Sequence, residues 1–102
     1  HNINIVGPNC LGIYYSKKNL NLTFGKSKIY SGDIGLISQS GAVLTALMDK
    51  AAQFKIGFSH IISLGNMADF NFAHAVNELN SQDSCKIIAI YAEGLNFGKE
   101  FL

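Results

Sequence analysis

Ser38-Gln39-Ser40-Gly41 stands where an apolar run, Ile34-Gly35-Leu36-Ile37, gives way to a helical pattern beginning at Ala42. The change of period predicts a strand-to-helix turn whose first backbone N–H groups have no partner inside the helix. Such a turn suits an anion. Free amides and the positive end of the macrodipole favour negative charge by roughly 0.3 to 2 kcal/mol, and Gly41 removes the side chain that would keep a ligand away from the backbone. An ordinary serine cap would use the same residues, so the pattern alone leaves both readings open.

Two more loops invite the same question. Gly65-Asn66 and Glu93-Gly94 each follow an apolar run, and in a parallel sheet the crevice at the carboxyl ends of the strands collects ligands. Glu93 is the odd member, because a carboxylate beside an oxyanion repels it. Its presence makes chemical sense if a cation or a hydrogen-bond donor such as an imidazole comes between the two. Otherwise it is an exposed glutamate at a strand end.

Spacing excludes several familiar sites. A nucleophile elbow needs glycines two residues either side of its serine, whereas Ser38 has Leu36 and Ser40 there, and Ser40 has Ser38 and Ala42. Neither a Gly-x-x-x-x-Gly-Lys-Ser/Thr run nor a Gly-x-Gly-x-x-Gly run occurs, so nucleotide is not bound by those routes. His60 in a strand pattern and His74 in a helix pattern lack an i, i+4 partner and are expected to be structural or surface residues; no metal site is expected.

Composition narrows the class. The chain has 102 residues, 48% hydrophobic and 15% charged, which suits one folded domain, or part of one, and excludes a disordered tail. Eight Lys+Arg against seven Asp+Glu leave a net charge of +1, so no nucleic-acid partner is expected. Lys17, Lys18, Lys26 and Lys28 lie in polar sequence and read as a solvated face. Cys10 and Cys85 lack the paired spacing of a zinc site or disulfide scaffold and are expected as reduced thiols. No apolar run approaches the ~18 residues of a membrane span, and the start has no signal-peptide pattern, which makes the cytoplasm the default location. A strand-like beginning and a helix-like end, Phe97 to Leu102, suggest a fragment.

The elements needed to position these loops form two consecutive βαβ units. Strands are expected at Ile34 to Ser38, Phe58 to Leu64 and Lys86 to Ala92, with helices at Gly41 to Phe54 and Phe72 to Asn80. Apolar runs such as Ile87-Ile88-Ala89-Ile90-Tyr91 do not alternate, which points to strands covered on both faces: an α/β fold, flavodoxin-like or otherwise doubly wound, with a parallel sheet between helices. The first helix carries apolar residues on most sides, from Val43 to Phe54, and is expected to be largely buried. Asn71 is the expected cap of the second, whose apolar face is Phe72, Ala75, Val76 and Leu79. Tyr14 to Gly32 is expected to be loop with one short strand around Asn21 to Phe24.

Taken in order, Gly7-Pro8-Asn9-Cys10-Leu11-Gly12, Leu20-Asn21-Leu22-Thr23-Phe24, Gly35-Leu36-Ile37-Ser38-Gln39-Ser40-Gly41-Ala42, Ser63-Leu64-Gly65-Asn66-Met67-Ala68-Asp69 and Tyr91-Ala92-Glu93-Gly94 resemble the NDP-forming acyl-CoA synthetases, relatives of the succinyl-CoA synthetase alpha subunit. The likeness runs over essentially the whole chain and corresponds to the flavodoxin-like domain that follows a CoA-binding Rossmann domain. It implies a reaction in which acid, CoA and NTP are interconverted with acyl-CoA, NDP and phosphate through an acyl phosphate and a phosphorylated histidine. It also implies phosphate held at Ser38, Gln39, Ser40 and Gly41, with Glu93 hydrogen-bonding the active histidine. Asn9 and Cys10 would lie on the CoA and substrate side, where a turn built on Pro8 is the plainer reading, and Gly65, Asn66 and Gly94 would be loop contacts.

The resemblance places the phosphorylated histidine in a Ser-His-Thr-Gly motif downstream of this chain. His1, His60 and His74 have no such surroundings. CoA-binding and ATP-grasp domains, the latter handling ATP, ADP and Mg, are the expected partners in cis or as separate subunits. A small organic acid is the expected substrate, an oligomer the expected assembly, and residues 1–102 alone are expected to be inactive. Two other readings remain at this stage: an acyl-CoA-sensing domain regulating a fused GNAT-type acetyltransferase, and a generic flavodoxin-like interaction module.

Overall fold

A computed structural model describes residues 3–23 and 28–93. Strands β1 (Ile13–Tyr15), β2 (Leu20–Asn21), β3 (Tyr30–Ser38), β4 (Gly57–Ser63) and β5 (Ile87–Tyr91) form one sheet in the order β2-β1-β4-β3-β5, with helices α1 (Gly41–Gln53) and α2 (Phe72–Asn80) between strands. β3 pairs in parallel with β4 and β5, as two right-sized βαβ units require. Successive side chains on β3 point to opposite faces, so Leu36 joins Ile61, Phe58 and the α1 residues Leu44, Met48 and Ala51 in one core. Ile37 joins Ile62, Leu64 and the α2 residues Phe72, Ala75 and Leu79 in the other. The flavodoxin-like α/β class and helices on both faces therefore hold. Gly35 allows the second layer to close, because a Cβ there would stand 2.7 Å from Leu79 Cδ1 and Cys85 Sγ.

The expectation of a wholly parallel sheet is corrected at one edge. β1 runs antiparallel to β4, pairing Ile13 with Ile62 and Tyr15 with His60, and β2 runs antiparallel to β1. A one-turn 3-10 helix, Ser16–Lys18, joins them through Asn19 in the left-handed region. β1 falls mostly in the stretch expected as loop, because a short strand held by distant partners carries almost no local signal. The short strand expected near Asn21 is Leu20–Asn21, and Phe24 lies outside the described residues. β3 begins four residues earlier than expected, through polar Tyr30 to Asp33, with a register irregularity between Ser31 and Gly35.

α1 also departs from expectation. It buries one stripe, Leu44, Met48 and Ala51, while Leu47 is 42% exposed and Phe54, its C-cap, is 69% exposed. A helix on one face of a sheet needs only that stripe, and no described element covers its other side. β5 is likewise less covered than its apolar run implies, with Ile87 58% exposed, because it is the sheet edge among the described residues. α2 matches its reading: Asn71 Oδ1 accepts the His74 N–H, and the Asn71 N–H donates to His74 Nδ1, both at 3.1 Å. The helix expected at Phe97 to Leu102 lies outside the described residues.

The N-terminal segment is stitched across the α2 side. Ser63 N–H donates to Gly12 O at 3.0 Å, Asn66 N–H to Pro8 O at 2.8 Å, and Ala68 N–H to Gly7 O at 2.9 Å. Leu11 N–H donates to the buried Ser63 Oγ at 2.8 Å. Gly65 makes this approach possible: its φ is +58°, and a Cβ there would collide with the carbonyl oxygens of Pro8 and Asn9. Beneath the hairpin, His60 is 4% exposed, with Nδ1 2.9 Å from Ser59 Oγ and its ring 4.1 Å from the Tyr15 ring. His60 Nε2 is buried without a partner among the described residues, and His60 borders a small cavity of about 170 Å³ with Glu78.

Two outcomes follow from this packing. Burial pushes the His60 imidazole below its ordinary value of 6.5, with the Glu78 carboxylate pulling the other way. The unfolded chain then binds the proton more readily than the folded one. This contribution to stability is full above about pH 6.5 and is lost as pH falls through the folded-state value. Denaturant melts between about pH 7.5 and 5 should show that loss, and His60→Leu should flatten it while leaving the carboxylate-driven part at lower pH. Gly65→Ala should destabilise the fold by about 2 kcal/mol or more, read as a lowered melting temperature, because a backbone collision cannot be relieved by a rotamer change.

Candidate functional site

The parallel register brings three strand ends to one level: Ser38 lies beside Ser63 on one side and Tyr91 on the other. Their loops are tied together. Leu64 N–H donates to Ser38 O at 2.8 Å, Gln39 N–H donates to Tyr91 O at 3.0 Å, and Glu93 N–H donates to Gln39 Oε1 at 2.8 Å. With the N-terminal segment across the top, they enclose an open cleft of about 820 Å³.

Most of the residues singled out by sequence meet here. Asn9 and Cys10 of the N-terminal segment, Gln39, Ser40 and Gly41 after β3, Gly65 and Asn66 after β4, and Glu93 after β5 all line the cleft. Asn9 and Cys10 reach the cleft because of the stitching around Gly65, which no local pattern reveals. Gly94 lies outside the described residues.

Ser38, also expected among the phosphate contacts, is placed apart from the others. It is fully buried and does not line the cleft; its hydroxyl donates to Ser40 O at 2.8 Å and accepts the Ser40 N–H at 3.2 Å. A β3 side chain at this position points into the α1 layer, so Ser38 shapes the turn from inside. Ser40 is a true N-cap, its Oγ accepting the Val43 N–H at 3.2 Å. Leu44 N–H is taken by Ser40 O. That leaves the amides of Gly41 and Ala42 without a partner among the described residues, and both residues line the cleft. A Cβ on Gly41 would meet nothing within 4 Å, so the backbone is open to an incoming group. The cap and the anion-suited amides thus coexist on one turn.

Leu11, Ala42 and Thr45 also line the cleft and were not singled out from the sequence. Thr45 had a usable signal: it lies one helical turn beyond Gly41 on the same face, and its Oγ1 donates to Gly41 O at 2.9 Å. Among the described residues no lysine or arginine lines the cleft, and Glu93 is the one charged residue that does. An anion in this cleft would therefore be held by amides and the α1 dipole, with Glu93 available to accept a proton-bearing group. Among the described residues no cluster of three or more His, Cys, Asp or Glu could hold a metal ion, and no helix is long and apolar enough to cross a membrane. Cys10 and Cys85 are free thiols.

Known proteins share this arrangement of sequence and fold. Residues 31–102 match the family described as succinyl-CoA ligase like flavodoxin domain. The chain is 45% identical over 102 residues to an acetate–CoA ligase (ADP-forming) of Methanocaldococcus jannaschii, covering all of this chain and 14% of that protein. It is 41% identical to the alpha subunit of acetate–CoA ligase (ADP-forming) II of Pyrococcus furiosus, covering 22% of that subunit. Among solved structures, the dinucleotide forming acetyl-coenzyme A synthetase 1 of Ca. Korarchaeum cryptofilum, in complex with phosphate and ADP, superposes with a TM-score of 0.91 at 37% identity, over 97% of this chain and 22% of that one. The chain thus spans less than a quarter of the length of these relatives. With the matched region carrying both βαβ units and the loops that meet at the cleft, the chain belongs to the succinyl-CoA ligase like flavodoxin domain family.

Proposed function

We propose that the protein containing this chain is an ADP-forming acyl-CoA synthetase acting on a small carboxylic acid, and that residues 1–102 are part of its flavodoxin-like domain. The observation that carries the reading is that Gly41 and Ala42, in the first turn of α1, line the same cleft as Glu93. A phosphoryl group on a nitrogen needs both: donors for its oxygens, and an acceptor for the N–H on the far side of the imidazole.

In the thermodynamic direction that makes ATP, a phosphate oxygen attacks the acyl carbon, the C–S bond breaks, and CoA leaves as the thiol after taking up the proton that the phosphate gives up. The resulting acyl phosphate is attacked at phosphorus by a histidine supplied from outside this chain; the P–O bond to the carboxylate breaks and the acid departs. An ADP oxygen then takes the phosphoryl group as the P–N bond breaks. This chain serves the middle stage. The α1 amides hold the phosphoryl oxygens, and the Glu93 carboxylate accepts the imidazole N–H, keeping the other nitrogen's lone pair toward phosphorus and stabilising the charge that develops on the ring. Asn9 and Cys10, which line the same cleft, would face the acyl and CoA end. A CoA-binding domain and an ATP-grasp domain, which would hold ADP and its Mg, complete the machinery in cis or as separate subunits. The free thiols fit a cytoplasmic enzyme.

The decisive experiment uses the full-length parent with radiolabelled phosphate and acetyl-CoA. Acid-labile label should appear on the protein, and no label should appear on residues 1–102 alone. Glu93→Gln should slow labelling roughly 100-fold. Gly41→Val should raise the KM for phosphate about tenfold by filling the open approach to the amides. Absence of acid-labile label on the parent, or labelling of the Glu93→Gln enzyme at the wild-type rate, would overturn the reading.

A further inference from the structure

We infer that Gln39 is a positioning residue that acts on the reaction through Glu93, and not a direct ligand of the phosphate. This rests on the function proposed above. Gln39 reaches the end of β5 twice: its N–H donates to Tyr91 O at 3.0 Å, and its side-chain Oε1 accepts the Glu93 N–H at 2.8 Å. One residue therefore clips the β5 backbone on both sides of Ala92. Its own backbone leads directly into the Ser40 cap and the open amides of Gly41 and Ala42, so the clip fixes the separation between the carboxylate and the phosphate-holding amides.

That separation is the delicate quantity in such a cleft. Glu93 must reach an imidazole yet stay clear of the phosphoryl oxygens, and β5 is, among the described residues, the edge of the sheet, with no described element over its end. Among the described residues no other hydrogen bond holds Glu93. The chemistry of the side chain fits the task. A carboxamide oxygen accepts an N–H without adding charge, whereas lysine or arginine could not accept, and glutamate would add a second negative charge beside the anion.

The test is a mutant cycle in the full-length parent, reading the rate constant of protein labelling from acetyl-CoA and labelled phosphate together with the KM for phosphate. Gln39→Met keeps the volume and removes the acceptor. It should slow labelling roughly 10- to 100-fold with the phosphate KM within about twofold of wild type, and hydrogen exchange at Glu93 should accelerate. The Gln39→Met/Glu93→Gln double variant should be no slower than Glu93→Gln alone, to within about twofold. Gln39→Glu, which restores an acceptor, should recover the rate relative to Gln39→Met at saturating phosphate while raising the KM. Multiplicative losses in the double variant, a raised phosphate KM at unchanged rate in Gln39→Met, unchanged exchange at Glu93, or no recovery with Gln39→Glu would each overturn the positioning role. A Glu93→Gln enzyme labelled at the wild-type rate would instead remove the function assigned to Glu93 and this inference with it.

Discussion

The parallel alignment of β4, β3 and β5 is the constraint from which the rest follows. Because Ser38 is level with both Ser63 and Tyr91, three loops of unrelated sequence leave the sheet side by side. Parallel pairing requires crossovers, and α1 and α2 supply them on opposite faces, each burying a narrow apolar stripe against alternate side chains of the same central strand. The helix that begins at Gly41 must therefore point its N-terminus at the strand ends. The site is thus a consequence of the topology, and its amides are presented by the same crossover that closes the core.

Electrostatics then decide what the cleft can hold. Among the described residues the cleft has anion-suited amides, one carboxylate and no cation, a set poorly matched to a free phosphate alone. Repulsion by Glu93 would offset much of what the α1 dipole offers. The balance changes when a neutral or protonated imidazole stands between the two groups, because it donates to the carboxylate and carries the phosphoryl group toward the amides. The proposed role and the charge pattern support each other.

The short-range features were legible. Asn71 as a cap, the α2 face from Phe72 to Leu79, the turn at Ser40 and the two core strands all depend on patterns within a few residues, where propensity and periodicity act directly. The features that local patterns did not reveal share the opposite property. The Ile13–Tyr15 strand exists because β4 offers it an edge almost fifty residues away, and Ser38 is removed from the cleft because its strand position turns it into the α1 layer. The exposed side of α1 misled in another way: an all-round apolar helix suggests burial, but one sheet can cover only one stripe.

What the sequence by itself determined was the α/β class, the order of the elements and the residue types that could meet an anion and an imidazole, since hydrophobic period and loop chemistry are local properties. Only the tertiary structure decided that Asn9, Cys10 and Glu93 line one cleft, that Ser38 does not, and that Gln39 spends its carboxamide oxygen on the Glu93 backbone. Those outcomes rest on strand register and on the close passage of the N-terminal segment over Gly65, contacts between residues far apart in the chain whose geometry no stretch of neighbouring residues encodes.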